Sequence, residues 1–332
     1  MARTHVLVGG AGFIGSNLLD DILQSDYGDA VVIDDLSRGS EGYIANQLKA
    51  ARCKFIRADT SEPESVHAIF ESLKHINPED VAVWHFAANS DIPAGISDIY
   101  VDFQQTFKTT VAILSGMKCH GLRRLYFASS SAVYGNHGVT PLTEDIGNCF
   151  PISNYGAMKL ASEAVISAAC EDWLDLGLIF RFPNVIGAPA THGVIYDFIS
   201  RLFDDSDQLT VMGDGSQQKS YLHVSDLISA MRFLASAVDS GAVGSGLQVF
   251  NIGPADSGVK VSRIAELVAE LFTPLPKVVF GAEPRGWVGD VPKFVYDCQK
   301  LAGLGWSPSM DSEEAVRLAV KEIHSQLKKN AN

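Results

Sequence analysis

The sequence predicts an α/β protein built on a doubly wound parallel sheet, followed by a smaller C-terminal α/β lobe. Three observations predict it. Short apolar runs (HVLVGG, AVVID, KFIRAD, VAVWHFAA, RRLYFASS and LGLIFRF) alternate with helix-length amphipathic segments, the rhythm of repeated strand–helix–strand units. The runs are apolar at consecutive positions, as strands buried on both faces require. The first of them ends in a glycine turn that opens a helix. With 332 residues, 46% of them hydrophobic, the chain can bury a full core in one large domain or two unequal lobes.

Composition narrows the function. Against 39 Asp and Glu stand 26 Lys and Arg, a formal charge of −13, with no basic run able to track a phosphate backbone, so nucleic acid is not an expected partner. The five cysteines (Cys53, Cys119, Cys149, Cys170 and Cys298) are odd in number and free of CxxC spacing, which suits reduced thiols in a cytoplasm. The first strand-like run starts at His5, leaving no room for a secretory signal, and no apolar stretch approaches about 20 residues. A cytoplasmic protein without membrane contact is expected. The nine histidines form no HExxH or paired Cys/His pattern, so no metal site is expected.

The run VLVGGAGFIGSNLLDDIL reads as strand, glycine turn and helix. Gly9, Gly12 and Gly15 let the backbone turn tightly and approach a pyrophosphate, while a helix beginning near Phe13 offers unpaired N–H groups and a positive dipole end. The motif at this position predicts a dinucleotide site. The next strand ends in Asp34, about 20 residues on, where a carboxylate accepts from the adenosine ribose and repels a 2′-phosphate. That favours NAD, with Arg38 keeping NADP as the alternative and a turn-capping role as the structural alternative for Asp34. Asp59, ending KFIRAD, faces the adenine edge or caps the helix that follows.

In SNYGAMKLASE, Tyr155 precedes Lys159 by one helical turn, which places both on one face. A cation there favours phenolate; a free tyrosine titrates near ~10, and each unit of descent takes about 1.4 kcal/mol. Alone, YxxxK also describes a half-buried ring beside a solvated stem. Its surroundings decide: RRLYFASS ends in Ser129, Ser130 and Ser131, and strand C-termini present the ligand crevice of such a sheet. A phenolate there is a general base for a substrate hydroxyl beside a nicotinamide, with a serine steadying the oxygen.

The ordered segments GGAGFIG, SSSAVYG, NYGAMK, RFPNVIG, GDGSQQKSYLHVSD, FNIG and RGWVGDVP resemble the signatures of the extended short-chain dehydrogenase/reductase family, and within it the nucleotide-sugar epimerases of the UDP-galactose 4-epimerase type. The likeness runs from about residue 5 to residue 306. It implies a Rossmann domain binding NAD over residues 1–185, a mainly nucleotide-sugar-binding lobe over 186–332 with chain exchange between the two, and a homodimer joined by a helix bundle. By position, Tyr155 matches the family base, Lys159 the residue that holds the nicotinamide ribose and lowers the tyrosine's pKa, and Ser130 the catalytic Ser/Thr. The resemblance also implies coenzyme contacts from Gly9, Gly12, Phe13, Ile14, Gly15, Asp34, Asp35, Ser37, Asp59, Thr60, Phe86, Ala87, Ala88 and Phe182. Substrate contacts are implied for Ser90, Ser130, Ser131, Tyr155, Asn184, Val194, Thr210, Val211, Met212, Lys219, Arg285 and Asp290.

Departures from the family pattern carry information. The 4,6-dehydratase branch has Asp and Glu where this chain has Ser131 and Ala132, and the decarboxylase branch keeps a carboxylate at Ala132, so both reactions are disfavoured. Lys219 replaces an arginine after the GDG loop, and Trp287 stands where the family has the RxGD arginine; Lys219 and Arg285 serve the diphosphate or are exposed solubilising charges. Uronate-acting members often carry an arginine where Ala188 and Pro189 follow Gly187, so a neutral hexose is expected, and Phe294 falls where a bulky aromatic tends to exclude an N-acetyl group. UDP-glucose/UDP-galactose 4-epimerisation ranks first. UDP-GlcNAc or UDP-uronate epimerisation, a reductase or dehydrogenase, and a non-catalytic NAD-sensing regulator are the alternatives. His192, beside Thr191, receives no role.

Overall fold

The structure, a computed structural model, describes residues 3–25, 27–138, 140–282 and 295–330. In chain order the first elements are β1 (Arg3–Val8), α1 (Phe13–Gln24), β2 (Gly28–Asp34), α2 (Glu41–Ile44), β3 (Cys53–Arg57), α3 (Pro63–Ser72), β4 (Val81–His85), α4 (Ile92–Ser97) and α5 (Ile99–Asp102). A π-helical turn, Phe103–Lys108, leads into α6 (Thr109–Cys119), then β5 (Arg124–Ala128), β6 (Pro141–Leu142), α7 (Asn154–Asp172), β7 (Leu176–Arg181) and β8 (Asn184–Ile186). The remainder comprises α8 (Val194–Asp204), β9 (Gln208–Val211), β10 (Gln218–Lys219), β11 (Tyr221–His223), α9 (Val224–Asp239), β12 (Gly246–Asn251), β13 (Val259–Lys260), α10 (Val261–Ala269), β14 (Lys277–Phe280), β15 (Val295–Tyr296), α11 (Gln299–Gly303) and α12 (Ser312–Asn330).

The chain divides into two compact units, one of Met1–Gly135, Gly147–Arg181 and Met231–Phe250, the other of Asn136–Ile146, Phe182–Ala230 and Asn251–Asn332. The first holds a seven-stranded sheet in the order β12-β7-β5-β4-β1-β2-β3. From β3 to β7 every neighbouring pair is parallel. The order reverses between β1 and β4, which is where a doubly wound sheet opens its ligand crevice. All six strand-like runs of the sequence are strands of this sheet. Those at its centre are buried along almost their whole length, because helices cover both faces. Trp84 ties three adjacent strands together, stacking on Tyr126 at 4.2 Å and on Phe180 at 6.3 Å between ring centroids.

The second unit has its own core, in which Ile195, Phe198, Ile199 and Leu202 of α8 join Ile264 and Val268 of α10 and Val316, Ala319 and Ile323 of α12. Four two-stranded ladders complete it: β8 with β11, β9 with β14 and β6 with β15 are parallel, and β10 with β13 is antiparallel. Three segments rich in polar residues, glycine or proline contain regular structure. GDGSQQKS includes β10, PLPKVVFG includes β14, and the polar end QLKKNAN continues α12 to Asn330. The ladders are short, and Leu327 anchors the last turns of α12 on the core. Among the described residues no helix is long and apolar enough to cross a membrane.

One close approach in the first unit sets where α7 begins. Gly156 lies so near the segment after β5 that an added Cβ would collide with the Ala132 carbonyl oxygen and stand 3.1 Å from Pro151 Cβ. Gly156→Ala is expected to cost about 1–3 kcal/mol by overpacking and to lower turnover with it, because α7 must retreat from the end of β5. Urea unfolding and an activity assay on the same preparation check this.

Candidate active site

The cradle at the end of β1 is formed by contact. Gly9 has φ +78° and its N–H donates to Ile33 O at 2.8 Å; an added Cβ there would fall 2.6 Å from Ala87 N, so the turn and the segment after β4 share one narrow space. At Gly15 an added Cβ would meet Gly10 Cα at 2.6 Å, which presses α1 onto the turn. Gly12 differs: it N-caps α1 without a side chain, and a Cβ there would meet only Gly9 O, at 3.3 Å. The first-turn amides of Phe13 and Ile14 have no partner within the helix and lie at its positive end. A pyrophosphate fits this chemistry.

The neighbouring acidic groups are more engaged than the sequence implies. Asp34 is buried; Oδ2 accepts from Ala11 N at 3.0 Å and Oδ1 from Leu36 N at 2.9 Å. Burial raises its pKa while these two amides pull it back down, so Asp34 holds the glycine turn in place, with lone pairs left over for a ribose. Asp35 caps its own turn by accepting from Ser37 N and Ser37 Oγ, and Asp59 does so by accepting from Ser61 N. Thr60 is buried beside it. Phe86 and Ala87 donate their N–H groups to Val8 O at 2.8 and 3.0 Å, and Ala88 follows them half-buried. Arg38, the residue that keeps NADP in play, pairs with Asp91 at 2.7 Å.

The Tyr155 helix begins at its cap. Ser153 Oγ accepts from Gly156 N at 3.1 Å, which places Tyr155 in the first turn of α7, where the helix dipole favours an anion. From there one face of α7 meets three consecutive residues at the end of β5. The Ser130 hydroxyl faces the Tyr155 phenol and draws its pKa down. Lys159 Nζ donates to Ala128 O at 2.6 Å, and Ser129 Oγ donates to Glu163 Oε1. Ser130 also accepts from Ala132 N at 3.2 Å, starting the 3-10 turn Ser131–Val133.

The electrostatics differ from the expectation. Burial of the hydroxyl pushes Tyr155 up to about 12; the Ser130 hydroxyl draws it down and the Asp102 charge pushes it further up. Burial drives Lys159 the other way, to about 7, with Glu163 opposing the fall. The Lys159 ammonium lies 5.9 Å from the Tyr155 ring centroid and is bonded to a backbone carbonyl, so it is a neighbour of the phenol rather than its direct partner. Asp102 is fully buried, with Oδ1 accepting from Asn89 Nδ2 at 2.8 Å. His85, also fully buried, is held neutral by a pKa of about 3 and lies 3.1 Å through Nε2 from Thr110 Oγ1. Ser90 is exposed on the loop after Asn89.

The remaining candidates lie in the second unit. Asn184 is exposed at the start of β8, opposite Tyr221 of β11. Lys219 ends β10 half-buried, and Val194 opens α8 partly buried against the core. Thr210 and Met212 are exposed, whereas Val211 between them turns its side chain into the core and leaves only its backbone for a ligand, as alternation along β9 requires. Phe182 is likewise buried. Arg285, Trp287, Asp290 and Phe294 lie outside the described residues. No group of three or more His, Cys, Asp or Glu side chains is placed to hold a metal among the described residues.

Glu163 and its counter-ion Arg181 are the site residues that the motif analysis passes over. Arg181 Nη2 approaches Glu163 Oε2 at 2.6 Å and Nη1 donates to Tyr134 OH at 3.1 Å, both side chains being buried. The signal is present in SNYGAMKLASE, where 155, 159 and 163 continue one stripe at four-residue spacing.

Comparison with known proteins follows the same lines. A model of the NAD dependent epimerase/dehydratase family matches residues 5–253. A putative UDP-glucose 4-epimerase of Methanocaldococcus jannaschii is 26% identical over 321 residues, 95% of this chain and 96% of that protein. The solved structure of a UDP-galactose 4-epimerase aligns with a TM-score of 0.84 at 32% identity over 98% of this chain and 100% of its own. That of the Thermus thermophilus UDP-glucose 4-epimerase in complex with NAD aligns with a TM-score of 0.81 at 26% identity, over 97% and 99%.

The low pKa of Lys159 has a sign that stability measurements can check. Below about 7 the group is charged in both folded and unfolded chains and its burial is a cost; between about 7 and the ordinary 10.5 the folded chain sheds the proton first and that cost fades. Relative to Lys159→Met, which lacks the bond to Ala128 O at every pH, the parent is therefore expected to gain stability as pH rises from about 7 toward 10. Chemical denaturation of both proteins across that range measures it.

Proposed function

The chain belongs to the NAD dependent epimerase/dehydratase family, and from that premise we propose that it interconverts the C4 epimers of a nucleotide-diphosphate hexose, UDP-glucose and UDP-galactose first. The observation that carries the reading is the triplet Ser130, Tyr155 and Lys159 at the end of β5, with Ser131 and Ala132 beside it where a dehydration or decarboxylation would need carboxyl groups. Full-length likeness to proteins described as UDP-glucose and UDP-galactose 4-epimerases supports it.

NAD, held by the glycine turn, the first turn of α1 and Asp34, supplies the reversible hydride acceptor and, when oxidised, a positive charge. The chain's own groups move the proton. Tyr155 takes it from the C4 hydroxyl and returns it to the C4 oxygen whichever face of the 4-keto sugar the hydride reaches, so one base serves both directions. Ser130 holds the same oxygen and relays its proton. The helix N-terminus and Lys159 oppose the burial that keeps the phenol protonated. Epimerisation needs a firm hold on the nucleotide and a loose one on the sugar, and Asn184 and Lys219 are assigned to the diphosphate.

The neutral hexose follows from Ala188 and Pro189, which leave a uronate without its arginine. A homodimer in a cytoplasm completes the reading. The apolar side chains of Ile99, Tyr100, Phe103 and Val111 are exposed along α5 to α6, a stripe suited to a second copy, and none of the five cysteines is in a disulfide. A reductase or dehydrogenase on the same site would consume nicotinamide stoichiometrically; an epimerase leaves no net change in absorbance at the reduced-coenzyme band.

Incubation with a panel of UDP-sugars without added coenzyme is expected to equilibrate UDP-glucose and UDP-galactose. Recovery of only a 4-keto or decarboxylated sugar would sink the assignment. Tyr155→Phe is expected to retain bound NAD and nucleotide while turnover falls roughly 10²–10⁴-fold; near-parental turnover would remove Tyr155 from the base role.

A further inference from the structure

We propose that Glu163 is a positioning residue of the reaction: seated between Ser129 and Arg181, it keeps the end of β5 in register beneath Tyr155 and holds Lys159 in its ammonium form. The geometry of α7 carries the first half. Tyr155, Lys159 and Glu163 occupy successive turns of one face and engage Ser130, Ala128 and Ser129 respectively. Ser129 is buried and bonded to Glu163 through its side chain, so the peptide that delivers the Ser130 hydroxyl to the phenol is fixed from the adjacent residue.

Charge carries the second half. Lys159, Glu163 and Arg181 are all at most 7% exposed, two cations sharing one anion. The other groups facing Lys159 are Tyr155 on its own helix and His85 of β4, which burial keeps neutral; Asp102 of α5 acts on Tyr155. Without the Glu163 charge, Lys159 would lose the anion that opposes the shedding of its proton. A guanidinium cannot shed its proton in a protein, whereas an ammonium can, so the deficit falls on Lys159. A neutral Lys159 would take away the cation that lies 5.9 Å from the Tyr155 ring centroid. The rate consequence rests on the epimerase reading; the ionisation consequence does not.

The test uses the purified protein with its bound NAD, labelled with 13Cε-lysine, the Lys159 resonance being assigned through Lys159→Arg. In Glu163→Gln, which keeps the shape and an acceptor for Ser129, the Lys159 titration midpoint is expected to fall by roughly one pH unit or more. The alkaline limb of kcat is expected to follow it, with KM for the UDP-sugar changed less than twofold. Arg181→Met makes the opposite change and is expected to raise the midpoint, which keeps the proposal testable if Glu163→Gln does not fold. A midpoint unmoved in either variant, or a rate lowered equally at every pH, overturns the ionisation role and leaves Glu163 a packing residue. A midpoint that moves in a protein inactive on every UDP-sugar sustains the role of Glu163 and refutes the epimerase reading instead.

Discussion

The position of the phenol depends on how α7 is fastened to the end of β5. A helix crossing the sheet can slide along its axis or rotate about it, and either motion of an ångström would separate Tyr155 from Ser130. The Lys159 bond to Ala128 O and the Ser129 bond to Glu163 remove both freedoms. They do so with buried polar groups, whose partners cannot be replaced by water and whose loss is correspondingly expensive. Gly156 sets the remaining distance by admitting the Ala132 carbonyl where any side chain would clash.

On the other side of the switch point the same logic uses backbone. Ala87 approaches Gly9 across the gap between β4 and β1, and Asp34 reaches from β2 to the Ala11 amide. Three neighbouring strands thus fix the glycine turn before any coenzyme contact is considered. The Arg38–Asp91 pair joins the loops after β2 and β4, the strands flanking β1. It is an exposed pair, so its thermodynamic weight is small, but it orients Arg38 toward a carboxylate and away from the role of phosphate partner.

Much of this is legible in the sequence because it rests on local pattern. Consecutive apolar residues mark the strands, GGAGFIG marks the turn, and Tyr155, Lys159 and Ser130 stand at the spacing their chemistry needs. What escapes depends on burial and on long-range contact. The spacing of Tyr155 and Lys159 suggests a lowered phenol pKa, yet burial dominates and moves the two groups in opposite directions. Asp34, Asp35 and Asp59 are drawn into capping backbone amides, which a motif does not distinguish from ligand contact. Val211 is buried where β9 pairs with β14, a strand within a segment bounded by proline and glycine. Arg181 is the last residue of β7, inside the apolar run LGLIFRF, and nothing nearby in sequence announces that its partner is Glu163.

The choice of cation at each position then has a physical reason. Arg181 meets Glu163 through Nε and Nη2 and reaches Tyr134 through Nη1, a fork that lysine cannot reproduce. Its charge is permanent, so the cation of this pair is not lost as pH rises. Lys159 makes one bond to a carbonyl, and its burial leaves it near 7, so small changes in the surrounding charge decide whether it carries a proton. An arginine at 159 would hold its charge without that sensitivity, and a lysine at 181 would leave the carboxylate half satisfied. The fixed cation is placed where the structure must be held, and the adjustable one beside the group that has to give and take a proton.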